Sequence, residues 1–174
     1  TTHSMRPPRY TVLAARILPQ YGGDTMFSSQ YAAYEQLSPA MQKLLGGLRA
    51  VHTDYSISAG LAGGQYERMT DDPYDSEFVH PVVRTHPETG RKALFVNAKN
   101  VHRFEGMTKE ESRPLLEYLF AHCSRAEIGW RHHWQAGDVL IWDNACVQHA
   151  VVGDVPKGMD RTMHRITICG EDVV

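Results

Sequence analysis

Short runs of β-branched and apolar residues recur along this 174-residue chain, and a helical step of three and four appears in two stretches only. Arg9 to Leu18 (RYTVLAARIL) predicts a strand after the Pro7-Pro8 turn. Pro19 to Asp24 carries Pro and two Gly and predicts a loop. From Gln30 to Leu48 the residues Tyr31, Tyr34, Leu37, Met41, Leu44, Leu45 and Leu48 keep helical spacing. Ser38-Pro39 inside that stretch predicts a fresh start, with Ser38 as N-cap and Pro39 at the first helical position. Gly46-Gly47 weakens its end. Residues 56–76 keep no sustained period and read as a loop or lid at an active-site mouth.

Further along, Val82 to Arg84 and Ala93 to Val96 flank the turn-rich His86–Gly90, which predicts a β-hairpin. Thr108-Lys-Glu-Glu111 is a capping box and opens a helix through about Cys123, with Leu115, Leu116, Leu119 and Phe120 on its apolar face. Arg131 to Trp134, Asp138 to Trp142 and Met163 to Cys169 predict three late strands. There is no internal repeat and no low-complexity segment. Many short strands with few helices favour a β-sandwich or barrel over a doubly wound sheet.

Composition narrows the class. A chain of this length can bury a core as one domain over 1–174. Apolar residues at 42% and charged residues at 22% are ordinary for a soluble globular protein. A net charge of −2 gives no electrostatic reason to expect nucleic acid or an anionic membrane as partner. No apolar stretch reaches the ~18 residues that a membrane helix needs. Cys123, Cys146 and Cys169 are odd in number and widely spaced, as expected of reduced thiols in a cytoplasmic protein. The opening TTHSMRPPRY has no hydrophobic signal segment and no initiator Met, so an upstream part of the native polypeptide is expected.

The candidate chemistry lies near the C-terminus. His149 follows the strand-like Asp138–Trp142 run, and Arg161 and Arg165 come 12 and 16 residues after it. An imidazole suits Fe(II), filling one corner of a 2-His-1-carboxylate triad that leaves positions open for oxygen chemistry. A guanidinium fork suits a carboxylate because it offers two parallel N–H donors.

The runs WDNACVQHAVVGD (Trp142 to Asp154) and RTMHRITICGED (Arg161 to Asp172) resemble the C-terminal signature of the Fe(II)/2-oxoglutarate dioxygenases related to taurine dioxygenase and the chlorophenoxyacetate dioxygenases. The resemblance extends through HPVVRTHPETGRKALFVN (His80 to Asn97), GGDTMF (Gly22 to Phe27) and Pro7-Pro8, and so covers nearly the whole chain. It implies a double-stranded β-helix, or jelly roll, of which this chain is the C-terminal two thirds. It implies His149 as a metal ligand, Arg161 and Thr25 as partners of the far carboxylate of 2-oxoglutarate, and Arg165 as a contact for an anionic substrate. The family's other two ligands, a His-x-Asp pair, would fall immediately before Thr1 and outside this chain. The implied cofactors are Fe(II), 2-oxoglutarate and O₂. The implied reaction hydroxylates a small anionic substrate such as taurine or another sulfonate, with succinate and CO₂ as co-products. Family members commonly self-associate, so a homo-oligomer is compatible.

Other readings stand beside this one. His52-Thr53-Asp54 is literally His-x-Asp, but it follows GGDT and a helical stretch, where the family keeps a His away from the metal. His3 lies near the absent motif. His164 falls on the opposite strand face from its arginine neighbours if Met163 to Cys169 is a strand. Asn97 suits a hydrogen-bonding role at a strand end, Trp134 and Trp142 suit the core, and Ala145 stands where many relatives have Arg. A non-catalytic jelly-roll module that has lost its metal is the alternative function. A zinc hydrolase would need a closed ligand set, and no such spacing is present.

Overall fold

The computed structural model describes residues 2–53 and 77–173. The 56–76 stretch read as a lid, and Asp54 of the His-x-Asp tripeptide, lie outside the described residues.

Eleven strands and three α-helices are described. In chain order they are β1 (Tyr10–Ile17), β2 (Thr25–Ser29), α1 (Gln30–Glu35), α2 (Pro39–Leu45), β3 (Arg49–His52), β4 (Phe78–Pro81), β5 (Val83–Thr85), β6 (Lys92–Leu94), β7 (Val101–Phe104), α3 (Lys109–Cys123), β8 (Gly129–His132), β9 (Val139–Asp143), β10 (Val147–Val151) and β11 (Thr162–Ile168). The mainly β reading holds, and most boundaries fall within two residues of expectation.

Two three-stranded antiparallel sheets form the frame, with orders β11-β1-β9 and β10-β2-β8. The late strands β8 to β11 alternate between them, so the chain crosses the gap at each connection. That alternation is how a jelly roll winds. Leu13 and Trp142 from one sheet meet Phe27 from the other, with Trp134, Leu140, Val147 and Met163 around them. In the first sheet, Thr11, Leu13 and Ala15 point inward while Ile141 and Ile166 flank Val12 on the outer face. Period-two alternation thus sets which face of β1 is buried.

The larger core lies beside this frame. Helices α1, α2 and α3 pack Ala33, Leu37, Leu45, Leu116, Leu119 and Cys123 against Ala50, Val82, Leu94, Val96, Val101 and Phe104 of the neighbouring strands. Ser38 caps α2 through the Met41 amide and Pro39 opens it, as the sequence predicts. The Gln30–Leu48 stretch is nonetheless two helices, because Ser29 caps its own start and the chain turns between Glu35 and Ser38.

The capping box of α3 forms completely. The Thr108 hydroxyl accepts from the Glu111 amide, and the Glu111 carboxylate accepts from the Thr108 amide. Thr108→Ala removes one half and leaves Glu111 without its reciprocal bond. We expect a loss of about 1 kcal/mol, read as a lower urea midpoint at unchanged slope.

Candidate active site

The turn Trp142-Asp143-Asn144 braces the start of β10. Asp143 accepts from Arg9 Nε at 2.8 Å, stands 3.0 Å from His86 Nε2, and accepts from the Ala145 amide at 2.7 Å. Asn144 donates to Thr11 Oγ1 and accepts from the Trp142 indole, both at 2.9 Å. The polar atoms of the turn bond one another, Arg9, Thr11 and His86. The strand that follows therefore leaves at a fixed angle.

His149 sits on that strand, directly opposite Phe27 in register, so both rings face into the sandwich. The imidazole packs beside two aromatic rings that also touch each other at 5.2 Å, 6.2 Å from Phe27 and 4.6 Å from Trp142 between centroids. It makes no hydrogen bond among the described residues. Ring packing thus supplies the orientation that a hydrogen-bond acceptor commonly supplies to a ligating histidine. Its outer edge is exposed, yet desolvation by its surroundings pushes its pKa down to about 4, and Arg165 adds to the effect. The ring is neutral at physiological pH, which is the form that can ligate a metal.

The edge of His149 opens on a cavity of about 400 Å³, whose lining includes Asn97, Lys99, Asn100, Asn144 and Arg165. Arg165 faces the interior because it pairs with inward-facing Leu13. His164 points to the other side, where its Nδ1 accepts from Arg16, as strand alternation predicts. Asn97 fixes the turn at the rim, its Oδ1 accepting from the Asn100 amide at 2.9 Å.

A second polar cluster lies two residues along β2. Thr25 is buried, and its Oγ1 accepts from Trp134 Nε1 at 2.9 Å and from Arg161 Nη2 at 3.4 Å. A hydroxyl has two acceptor sites and one proton. Both acceptor sites are used, so the proton is left to donate to an incoming group. Arg161 also donates from Nε to the Gly23 carbonyl at 2.8 Å and has no carboxylate in salt-bridge range among the described residues. Burial lowers its pKa while the nearby Asp24 charge raises it. Asp24 itself is engaged by Arg131 at 2.7 Å and His133 at 2.6 Å. Arg161 is thus held in place with Asp24 nearby but no carboxylate in salt-bridge range among the described residues, an arrangement that an anion completes.

Gly23 makes this approach of Arg161 possible. Its φ is +73°, and a Cβ there would lie 2.8 Å from Arg161 Cδ. Gly23→Ala combines left-handed strain of about 1–2 kcal/mol with displacement of the guanidinium. A fall in Tm of several degrees is expected in a thermal melt.

The sequence candidates separate cleanly. His149 and Arg165 line one cavity, whereas Thr25 and Arg161 meet in the second cluster and do not line it. His52 does not line the cavity: it is fully buried, its Nδ1 lies 2.8 Å from Thr2 Oγ1, and it stacks on Phe95 at 5.2 Å. Burial, then the His80 charge, pushes its pKa down to about 3. His3 contacts Asn100 at 3.3 Å. Trp134 packs against the smaller core, as expected, and its indole also holds Thr25. Nothing in its local sequence marks that bond, because it joins residues 109 positions apart.

His86, Asp143 and Cys146 form a cluster with ligand atoms within 4.8 Å of one another. The guanidinium of Arg9 occupies it, bonded to Asp143 and 3.2 Å from His86 Nε2, and the Arg84 charge stands close by. A structural ion-pair network explains these groups better than a cation site.

Residues 1–167 match the family described as "Taurine catabolism dioxygenase TauD, TfdA family". The chain belongs to this family. It is 39% identical over 142 residues to the alpha-ketoglutarate-dependent 2,4-dichlorophenoxyacetate dioxygenase of Cupriavidus pinatubonensis, covering 81% of this chain and 48% of that one. It is 36% identical over 172 residues to the alpha-ketoglutarate-dependent sulfate ester dioxygenase of Pseudomonas putida, covering 94% of this chain and 56% of that one. Among solved structures, the crystal structure of AAD-2 with Mn(II) and N-oxalylglycine superposes with a TM-score of 0.88 at 28% identity, covering all of this chain and 68% of that one. The chain spans about half the length of these curated relatives. Among the described residues no helix is long and apolar enough to cross a membrane.

Proposed function

We propose that this chain carries the co-substrate and substrate half of an Fe(II)- and 2-oxoglutarate-dependent oxygenase. It would hydroxylate a small anionic molecule, either a sulfonate such as taurine or a sulfate ester. The Arg161–Thr25 pair carries this reading most directly. A buried hydroxyl with a spare proton sits two residues along β2 from the position facing His149, and 3.4 Å from it stands a guanidinium with no salt-bridge partner among the described residues. The step along β2 is roughly 7 Å at ~3.4 Å per residue, the scale of a short dicarboxylate. Membership in the family and the relatives' shared dependence on alpha-ketoglutarate support the same co-substrate.

His149 fits the family's metal by the chemistry of its donor atom: it is neutral, held by ring packing and open to the cavity. We assign it one corner of a facial triad, with the His-x-Asp pair expected from residues outside this chain. The exposed Ile141 and Ile166, on either side of half-buried Val12 on the outer face of the β11-β1-β9 sheet, support further polypeptide packing there. When bound, Fe(II) with 2-oxoglutarate and O₂ supplies the oxidising chemistry, the co-substrate leaving as succinate and CO₂. The residues of this chain do the rest. Arg161 takes two oxygens of the far carboxylate through its fork while Thr25 donates its hydroxyl proton to the same group. Trp134 keeps the Thr25 oxygen from turning away. Phe27 and Trp142 exclude water from one side of the imidazole. Arg165 attracts the anionic end of the substrate.

The test is an anaerobic titration of the full-length protein with Fe(II) and then 2-oxoglutarate. A weak visible charge-transfer band is expected only when both are present. No band in protein shown to contain the upstream His-x-Asp would exclude this function.

A further inference from the structure

Among the described residues, the lining of the cavity beside His149 contains Arg165 and Lys99 and no aspartate or glutamate. Neither cation makes a hydrogen bond or ion pair among the described residues. Other arginines near the frame are engaged: Arg9 by Asp143, Arg131 by Asp24 and Asp154, Arg91 by Glu35. Both free charges also act on His149, each lowering its proton affinity, so both stand within electrostatic reach of the same imidazole.

An exposed lysine is ordinarily just a solvated side chain. Lys99 differs in its backbone. It sits in a turn closed by the Asn100 amide donating to Asn97 Oδ1 at 2.9 Å and the Val101 amide donating to the Asn97 carbonyl at 3.1 Å. Asn100 is buried and donates its side-chain amide to the Thr53 carbonyl at 2.9 Å. The turn therefore presents Lys99 from a fixed base to the same cavity that Arg165 lines.

Resting on the oxygenase reading above, we propose that Lys99 is a second substrate contact that selects a tetrahedral oxoanion over a carboxylate. A guanidinium fork takes one lone pair on each oxygen of a planar carboxylate, and a further donor must then approach in that same plane from the far side. A sulfonate or sulfate presents three equivalent oxygens. The Arg165 fork takes two, and the Lys99 ammonium, a compact charge on a flexible stem, takes the third. Lys99 is thus a specificity residue for the anionic end of the substrate and plays no part in holding 2-oxoglutarate.

The experiment compares wild type with Lys99→Met and Lys99→Arg, in full-length protein loaded anaerobically with Fe(II) and 2-oxoglutarate. Binding of hexanesulfonate, hexyl sulfate and heptanoate is followed by calorimetry. Loss of one charge-assisted contact is expected to weaken the two oxoanions roughly tenfold in Lys99→Met. Heptanoate binding should stay within twofold, and Lys99→Arg should recover most of the oxoanion affinity. Equal affinity of wild type and Lys99→Met for all three anions would overturn the proposal, and so would equal weakening of all three. The charge-transfer band reports on the underlying reading separately, because it should form alike in wild type and Lys99→Met. A missing band sinks the oxygenase, whereas a band with unchanged oxoanion affinity sinks Lys99 alone.

Discussion

His149→Ala is expected to abolish the charge-transfer band at any practical iron concentration. Loss of a residue that merely orients a metal ligand commonly costs 10- to 100-fold in metal affinity, and loss of a ligand costs more. At least ~100-fold weaker iron binding is therefore the expected minimum. The fold should survive. His149 makes no hydrogen bond among the described residues and has an exposed edge, so its removal opens space without stranding a polar partner. A Tm within a few degrees of wild type would separate metal loss from unfolding. A variant that keeps the band and binds iron within twofold of wild type would remove His149 from the metal site.

Why His149 was legible in the sequence while its surroundings were not has a physical explanation. The β9–β10 connection is local: a strand-like run, a turn of Trp-Asp-Asn and the histidine follow within a dozen residues, so their order survives in the linear pattern, although the two strands join different sheets. The α3 capping box and the Ser38-Pro39 start are equally local and came out as expected. Strands β2, β3, β4, β7 and β10 went unread because their sequences carry little apolar–polar alternation or β-branched enrichment to set them apart from the loops around them. What makes them strands is pairing with distant partners, as β2 does with β8 and β10 across more than a hundred residues. The same applies to the site. Thr25 and Arg161 could be named from motif position. That Trp134 locks the Thr25 oxygen, and that Asp24 is engaged elsewhere while Arg161 is left without a salt bridge, are products of tertiary packing. Lys99 carries no local mark at all. Its place on the cavity comes from a turn whose anchors, Asn97 and Asn100, look like any polar loop residues in sequence.

Arg161→Ala should act on the co-substrate and spare the metal. The guanidinium is half-buried, oriented by the Gly23 carbonyl and in contact with Thr25. Its removal would leave the far carboxylate of 2-oxoglutarate in a partly desolvated pocket with only the Thr25 hydroxyl. Truncating one partner of such a pair costs about 2–5 kcal/mol, or roughly 30- to 4,000-fold in affinity. The expected result is a large rise in the 2-oxoglutarate concentration needed to develop the band, with iron affinity alone little changed. Arg161→Lys keeps the charge and loses the fork, and a compact ammonium cannot make two parallel bonds to one carboxylate. It should fall between wild type and Arg161→Ala. This ordering separates the assigned role from a purely structural one. If Arg161 only braced the Gly23 loop, both variants would lower Tm in proportion to any loss of binding. If it grips the carboxylate, affinity falls while stability holds, and the bidentate geometry lost in Arg161→Lys accounts for that variant's deficit.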